Sequence, residues 1–110
     1  MGDEILRRKQ EWLEKLKREG KLKDPTEDHK IGLIALQNKI RRDIIKFIGV
    51  NGKKTQEEIK EWFHLSDAQV KMHLGLLEQA LFVEVLEENG KEYYILTPRG
   101  EAYLENVEWR

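Results

Sequence analysis

The sequence predicts a mostly helical α+β fold: a helix-turn-helix followed by a two-stranded β-hairpin wing, with an added N-terminal helix and a C-terminal helix. Three observations carry it. Two helix-start signals, at Thr55 and Ser66, stand eleven residues apart. An Asn-Gly pair separates two β-prone runs, and a Thr-Pro pair precedes the last amphipathic stretch.

Taken in order, Asp3 to Glu19 is rich in strong helix formers, with Ile5, Leu6, Trp12, Leu13 and Leu16 gathering on one side. Gly20 is expected to end this helix. So few turns are marginal alone, so the stripe must dock on the rest of the chain or on a second copy. Lys21 to Lys30 is the candidate linker, with its turn at Asp24, which divides the chain into residues 1–24 and a domain over 25–110. Ile31 to Ile48 is dense in apolar residues, at positions 31, 33, 34, 36, 40, 44, 45, 47 and 48. Asn38 is a good cap, so this stretch reads as one continuous helix or as a helix ending near Gln37 and another from Lys39. Gly49 to Lys54 makes a turn.

In the helix-turn-helix, Thr55 can cap the helix start while Glu58 reaches back, and Ser66 with Gln69 repeats the arrangement. Ile59, Trp62 and Phe63 on the first helix, and Val70, Leu74, Leu77 and Leu81 from the second, are expected to face a shared core. At about 100° per residue, Asp67, Ala68, Lys71, Met72, Gly75, Glu78 and Gln79 then face outward. Val83–Leu86 and Glu92–Leu96 form the hairpin around Glu87 to Lys91. Thr97-Pro98 opens the final helix through Ala102, Tyr103, Leu104 and Val107, and Trp109 lies near the chain end.

Length and composition bound the function. The 110 residues suit one compact domain, and 20 basic against 21 acidic side chains leave a net charge of −1. No basic field covers the whole chain, and splitting it finds none: residues 1–28 hold 8 basic and 8 acidic groups, the remainder 12 and 13. Any basic surface must be local. The absence of cysteine excludes disulfides and thiolate metal sites. No apolar run approaches a membrane span, and the N-terminus has no apolar signal region, so a cytoplasmic protein is expected.

Catalytic and metal chemistry find no support. There is no cysteine nucleophile, no G-x-S-x-G elbow and no phosphate-cradling glycine loop, and Gly49 to Lys54 lacks the P-loop spacing. His29, His64 and His73 include no pair at the i, i+4 spacing that shares a helix face, so no metal site and no cofactor are expected.

The segments LIALQNKIRRDIIKFI, LSDAQVKMHLGLLEQALFVEV and YYILTPRGEAYL together resemble the winged helix-turn-helix transcription regulators of the ArsR type and their archaeal relatives, with MarR-like features at the end. The resemblance covers about residues 31 to 107. It implies a homodimer that binds double-stranded DNA, with the helix over 66–79 in the major groove. Carried over by position, Ser66, Asp67, Ala68, Gln69, Lys71, Met72 and Gln79 would lie at the DNA, with Ser66 capping and Lys71 and Gln79 the main contacts. Arg41, Arg42, Lys46, Lys53 and Lys54, with Lys91 in the wing, would hold phosphates. The resemblance also implies dimer contact through the N- and C-terminal helices, which Tyr103 and Trp109 would join. This chain departs from the pattern at Gly75 and Glu78, where relatives often carry Lys or Arg, and in its acidic wing tip Glu87-Glu88. Each carboxylate near a phosphate costs attraction. The same scaffold serves protein interaction elsewhere, so an interaction module using Met72, Leu76 and the acidic wing is the alternative.

Overall fold

The computed structural model describes residues 2–108; Trp109 and its expected dimer role lie outside the described residues. Helix α1 spans Gly2–Arg18 and ends in a left-handed Gly20, where Lys21 N–H donates to the Leu16 carbonyl and Gly20 N–H to that of Lys17. Asp24 then caps α2 (Pro25–Leu36), its carboxylate accepting from the N–H groups of Thr26 and Glu27. The connection between these helices is therefore much shorter than the Lys21–Lys30 linker expected from composition, because Asp24-Pro25 starts a helix rather than interrupting a loop.

Asn38 resolves the long apolar stretch into two helices. Its side chain accepts from Ile40 and Arg41 N–H at the start of α3 (Lys39–Ile48). Helix α4 (Gln56–Trp62) opens with the Thr55–Glu58 capping box, and α5 (Asp67–Gln79) with that of Ser66 and Gln69. The turn between them places His64 in the left-handed region at φ 55°, so that Leu65 N–H reaches back to the Lys60 carbonyl. A tight corner results, and α5 is turned across α4.

Strands β1 (Val83–Glu88) and β2 (Lys91–Leu96) pair antiparallel. Asn89 and Gly90 both have positive φ, 52° and 79°, as the two central residues of a type I′ hairpin require. The strands consequently run closer to the turn than Leu86 and Glu92. Lys54 extends the sheet by one antiparallel bridge, exchanging two backbone hydrogen bonds with Tyr94, a pairing its turn-like sequence does not announce. Thr97 Oγ1 accepts from Gly100 N–H to start α6 (Pro98–Glu108).

The core joins Ile44, Ile45 and Ile48 of α3, Ile59 of α4, Val70, Leu74 and Leu77 of α5, Val83 and Leu96 of the hairpin, and Leu104 of α6. Helix α1 docks by a second, smaller cluster, in which Trp12 and Leu16 cover Leu81. Ile5, Leu6 and Leu13 of the expected stripe stay exposed, and of that stripe only Trp12 and Leu16 turn onto a buried partner, Leu81. Trp62 is a further departure: its period points it to the core, yet it is 65% exposed and lies flat on Phe47 with ring centroids 5.0 Å apart. Ile59 and Phe63, four residues apart, take the core-facing side, and Trp62 is left beside it. Arg99 closes the structure with a bidentate ion pair to Asp28 and a bond to the Ala80 carbonyl, tying α6 to α2 and to the end of α5.

Candidate nucleic-acid interface

Helix α5 buries Val70, His73, Leu74 and Leu77 and leaves Asp67, Ala68, Lys71, Met72, Gly75, Glu78 and Gln79 exposed, which is the face read from its sequence period. At its start the Ser66 hydroxyl accepts from Gln69 N–H, and the Gln69 side-chain oxygen accepts from Ser66 N–H at 2.9 Å. That oxygen is thereby committed to the cap. Asp67 is tied to Lys60 of α4 at 2.8 Å, which holds the Asp67 carboxyl below the usual carboxylate range and raises the Lys60 ammonium. Lys71 and Gln79 extend from the open face.

The basic residues around this helix divide sharply. Lys46 and Lys91 are exposed. Lys53 is exposed too, but its Nζ sits 2.6 Å from Glu88 at the wing tip and 4.6 Å over the Tyr93 ring. The bond to Glu88 raises its pKa further. Lys54 is half-buried, with its Nζ 5.0 Å over the Phe47 ring. Arg42 turns inward to the last carbonyl of α2, donating from Nη1 to Leu36 O at 2.6 Å.

Arg41 corrects the sequence expectation. The resemblance implies a phosphate contact, but only 7% of Arg41 is exposed and its guanidinium is spent inside the protein. Nε and Nη2 donate to the carbonyls of Ala35 and Ile34, and Nη1 donates to His73 Nδ1 at 3.1 Å. The α2–α3 corner turns the last carbonyls of α2 toward Arg41, and a guanidinium is the side chain that can answer several of them at once. His73 is the partner on α5. Nothing in its local sequence signals this.

Among the described residues no group of three or more His, Cys, Asp or Glu side chains is placed to hold a metal ion, and no helix is long and apolar enough to cross a membrane. Between α1 and α6 runs a groove of about 720 Å³, lined by Ile5, Trp12, Leu13, Val50, Ala102 and Leu104 and crossed at its edge by the Arg8–Glu101 ion pair.

A capped helix with one buried and one open face, set between a tight turn and a two-stranded wing, defines a winged helix-turn-helix, and solved structures agree. HlyU from Vibrio cholerae superposes with a TM-score of 0.64 at 20% identity, covering 78% of this chain and 94% of that one. The homodimeric winged helix-turn-helix DNA-binding domain Mb0332 from Mycobacterium bovis, a possible ArsR-family transcriptional regulator, gives 0.65 at 20% identity over 80% and 84%. The transcriptional repressor BigR from Xylella fastidiosa gives 0.63 at 17% over 74% and 81%. These likenesses establish the fold. No family model matches the chain. A curated, uncharacterized protein of Archaeoglobus fulgidus is 45% identical over 65 residues, which are 59% of this chain and 71% of the archaeal one. The chain belongs to the family of that protein.

Proposed function

We propose that this protein is a transcription regulator that binds double-stranded DNA as a homodimer, with α5 in the major groove and the hairpin wing beside the backbone. The observation that carries this reading is the uncovered face of α5: Ala68, Lys71, Met72, Gly75 and Gln79 are exposed on a helix whose other face is locked into the core. Such a helix is rigidly presented, and its small residues Ala68 and Gly75 permit close approach to base edges. The names of the structural neighbours support the same role.

Lys71 and Gln79 would contact bases or phosphates, and Lys46, Lys54, Lys91 and the Lys53 ammonium would hold the backbone. Arg42 contributes only if it leaves the Leu36 carbonyl, and Arg41 is not in the set. The second copy would dock along the apolar groove between α1 and α6, where exposed Ile5 and Leu13 would gain cover. A two-fold dimer would then present two α5 helices about 34 Å apart and select a palindromic or pseudo-palindromic site.

Fluorescence anisotropy with random-sequence duplex DNA, at about 50 and 200 mM salt, tests the reading, because phosphate contacts weaken steeply across that range. Micromolar or tighter binding with a steep salt slope is the expected result. No binding at the lower salt would overturn it in favour of an interaction module, for which the 49% exposure of Met72 on a near-neutral chain is the specific observation.

A further inference from the structure

Arg41 and His73 are both more than nine-tenths buried, and they join the α2–α3 corner to the middle of α5. A guanidinium carries only donors, so the 3.1 Å contact requires a bare lone pair on His73 Nδ1. The imidazole is therefore the neutral tautomer with its proton on Nε2. Adding a proton at Nδ1 would set two donors and two positive charges against each other at that distance, in a place that water reaches poorly.

Nothing acidic offsets that repulsion. Arg41 makes no ion pair among the described residues; its other partners are the carbonyls of Ile34 and Ala35. The charged groups of the elements packed on α5 are engaged elsewhere or exposed. On α2, Asp28 is held by Arg99, while Glu27, His29 and Lys30 are exposed; on α3, Asp43 pairs with Lys39, Arg42 bonds the Leu36 carbonyl and Lys46 is exposed. On α4, Lys60 holds Glu57 and Asp67, Glu58 serves the Thr55 cap and Glu61 is exposed. On β1, Glu84 pairs with Lys15, Glu88 pairs with Lys53 and Glu87 is exposed. On α5 itself, Lys71 and Glu78 face outward.

We propose that the Arg41–His73 contact is a proton-operated latch on α5: neutral His73 holds the helix in its presented position, and protonation releases it from the α2–α3 corner. Arg41 thus acts as a positioning residue for the candidate DNA-reading face without touching DNA. The effect on DNA rests on the proposed function; the latch itself does not. Burial, and secondarily the Arg41 charge, push the His73 pKa down, so neutral His73 prevails at and above neutral pH and the latch opens only under acid conditions.

The test is histidine nitrogen and carbon NMR on the full chain from about pH 8 to 4.5, beside the variant His73→Asn, whose side-chain oxygen replaces Nδ1 as acceptor and cannot titrate. The expected result is a His73 that stays in the Nε2–H form to below its ordinary value and then titrates together with the amide signals of α5. In H73N those amide shifts should be absent. DNA affinity, where DNA is bound, should fall about tenfold more in the native chain than in H73N between pH 7.5 and 5, within the range typical of coupling between two sites. A His73 that titrates without moving the α5 amides, or an H73N protein with the native pH profile, would overturn the latch. Failure to bind DNA at any pH would strike the proposed function while the NMR result still decides the latch.

Discussion

Lys53 Nζ lies 2.6 Å from the Glu88 carboxylate, so the turn before α4 is tied to the tip of the wing by a charge pair of the protein's own. Both partners are about half exposed, and the pair adds little to stability. Its larger consequence is for an anionic partner, because Glu88 occupies the ammonium that a phosphate would need. Glu88→Gln should therefore raise DNA affinity and steepen its salt dependence by about one phosphate contact, measured by anisotropy at two salt concentrations. Unchanged binding would show that Lys53 does not meet DNA.

Lys71 stands on the open face of α5 with no ion pair among the described residues. Lys71→Ala should weaken binding uniformly across DNA sequences and make the salt slope shallower by about 1. A loss confined to particular sequences would instead assign Lys71 to base reading.

Leu13 is 37% exposed and Ile5 67%, both on the groove between α1 and α6. Leu13→Glu places a charge where a second copy would have to exclude water, and little else in the fold depends on that side chain. Sedimentation equilibrium should find the native chain dimeric and the variant monomeric, with an unaltered circular dichroism spectrum. A variant that stays dimeric would move the contact away from this groove.

A Cβ on Gly100 would lie 2.3 Å from the Phe82 carbonyl oxygen, and that neighbour is backbone. Gly100→Ala must push the start of α6 away from the segment that joins α5 to β1, which also strains the Thr97 cap. The expected loss is about 2 kcal/mol by urea unfolding, in the range of overpacked sites. A loss below about 0.5 kcal/mol, the range of ordinary surface changes, would mean that the α6 junction can give way.

Stability should depend on pH through His73 with a definite sign. Above its ordinary value of about 6.5, the imidazole is neutral in both the folded and the unfolded chain, and its contribution is constant. Below that value the unfolded chain takes up the proton first, because the folded pKa is depressed, so stability falls until the folded-state value is passed. Thermal unfolding of the native chain and H73N should diverge as pH drops below about 6.5 and run parallel above it. Parallel behaviour throughout would mean that burial does not restrain the proton.

Much of the architecture is legible because it is written in neighbours along the chain. Asn38, Thr55, Ser66 and Thr97 each cap a helix start with a side chain whose partners lie two or three residues ahead, whereas Asp24, which reads as a linker turn, caps α2 in the same way. Asn89-Gly90 is a turn for a similarly local reason, since both positions need positive φ. The outward face of α5 follows from the helical period once Val70, Leu74 and Leu77 are seen to need a core.

What sequence reasoning misplaced depends on partners far away in the chain. Arg41 looks like a surface cation beside Arg42 and Lys46, and only the corner of α2 with α3, and His73 on α5, make it an interior one. Trp62 has the right period for the core, but Ile59 and Phe63 take that side and Trp62 stacks on Phe47 at the surface. Leu81 adopts φ 66°, where glycine or asparagine is the local preference, because Trp12 and Leu16 of α1 cover it there.

The sequence alone thus determined most of the elements, the caps at Asn38, Thr55, Ser66 and Thr97, the hairpin and the face that α5 turns outward, since these follow from backbone groups satisfied within a few residues and from periodic burial. Only the tertiary structure decided which cations remain available to a partner. Arg41 and Arg42 are drawn in by helix-end carbonyls, and Lys53 is claimed by Glu88. A charged side chain goes where its desolvation is best compensated, and those compensating groups belong to segments that only folding brings together.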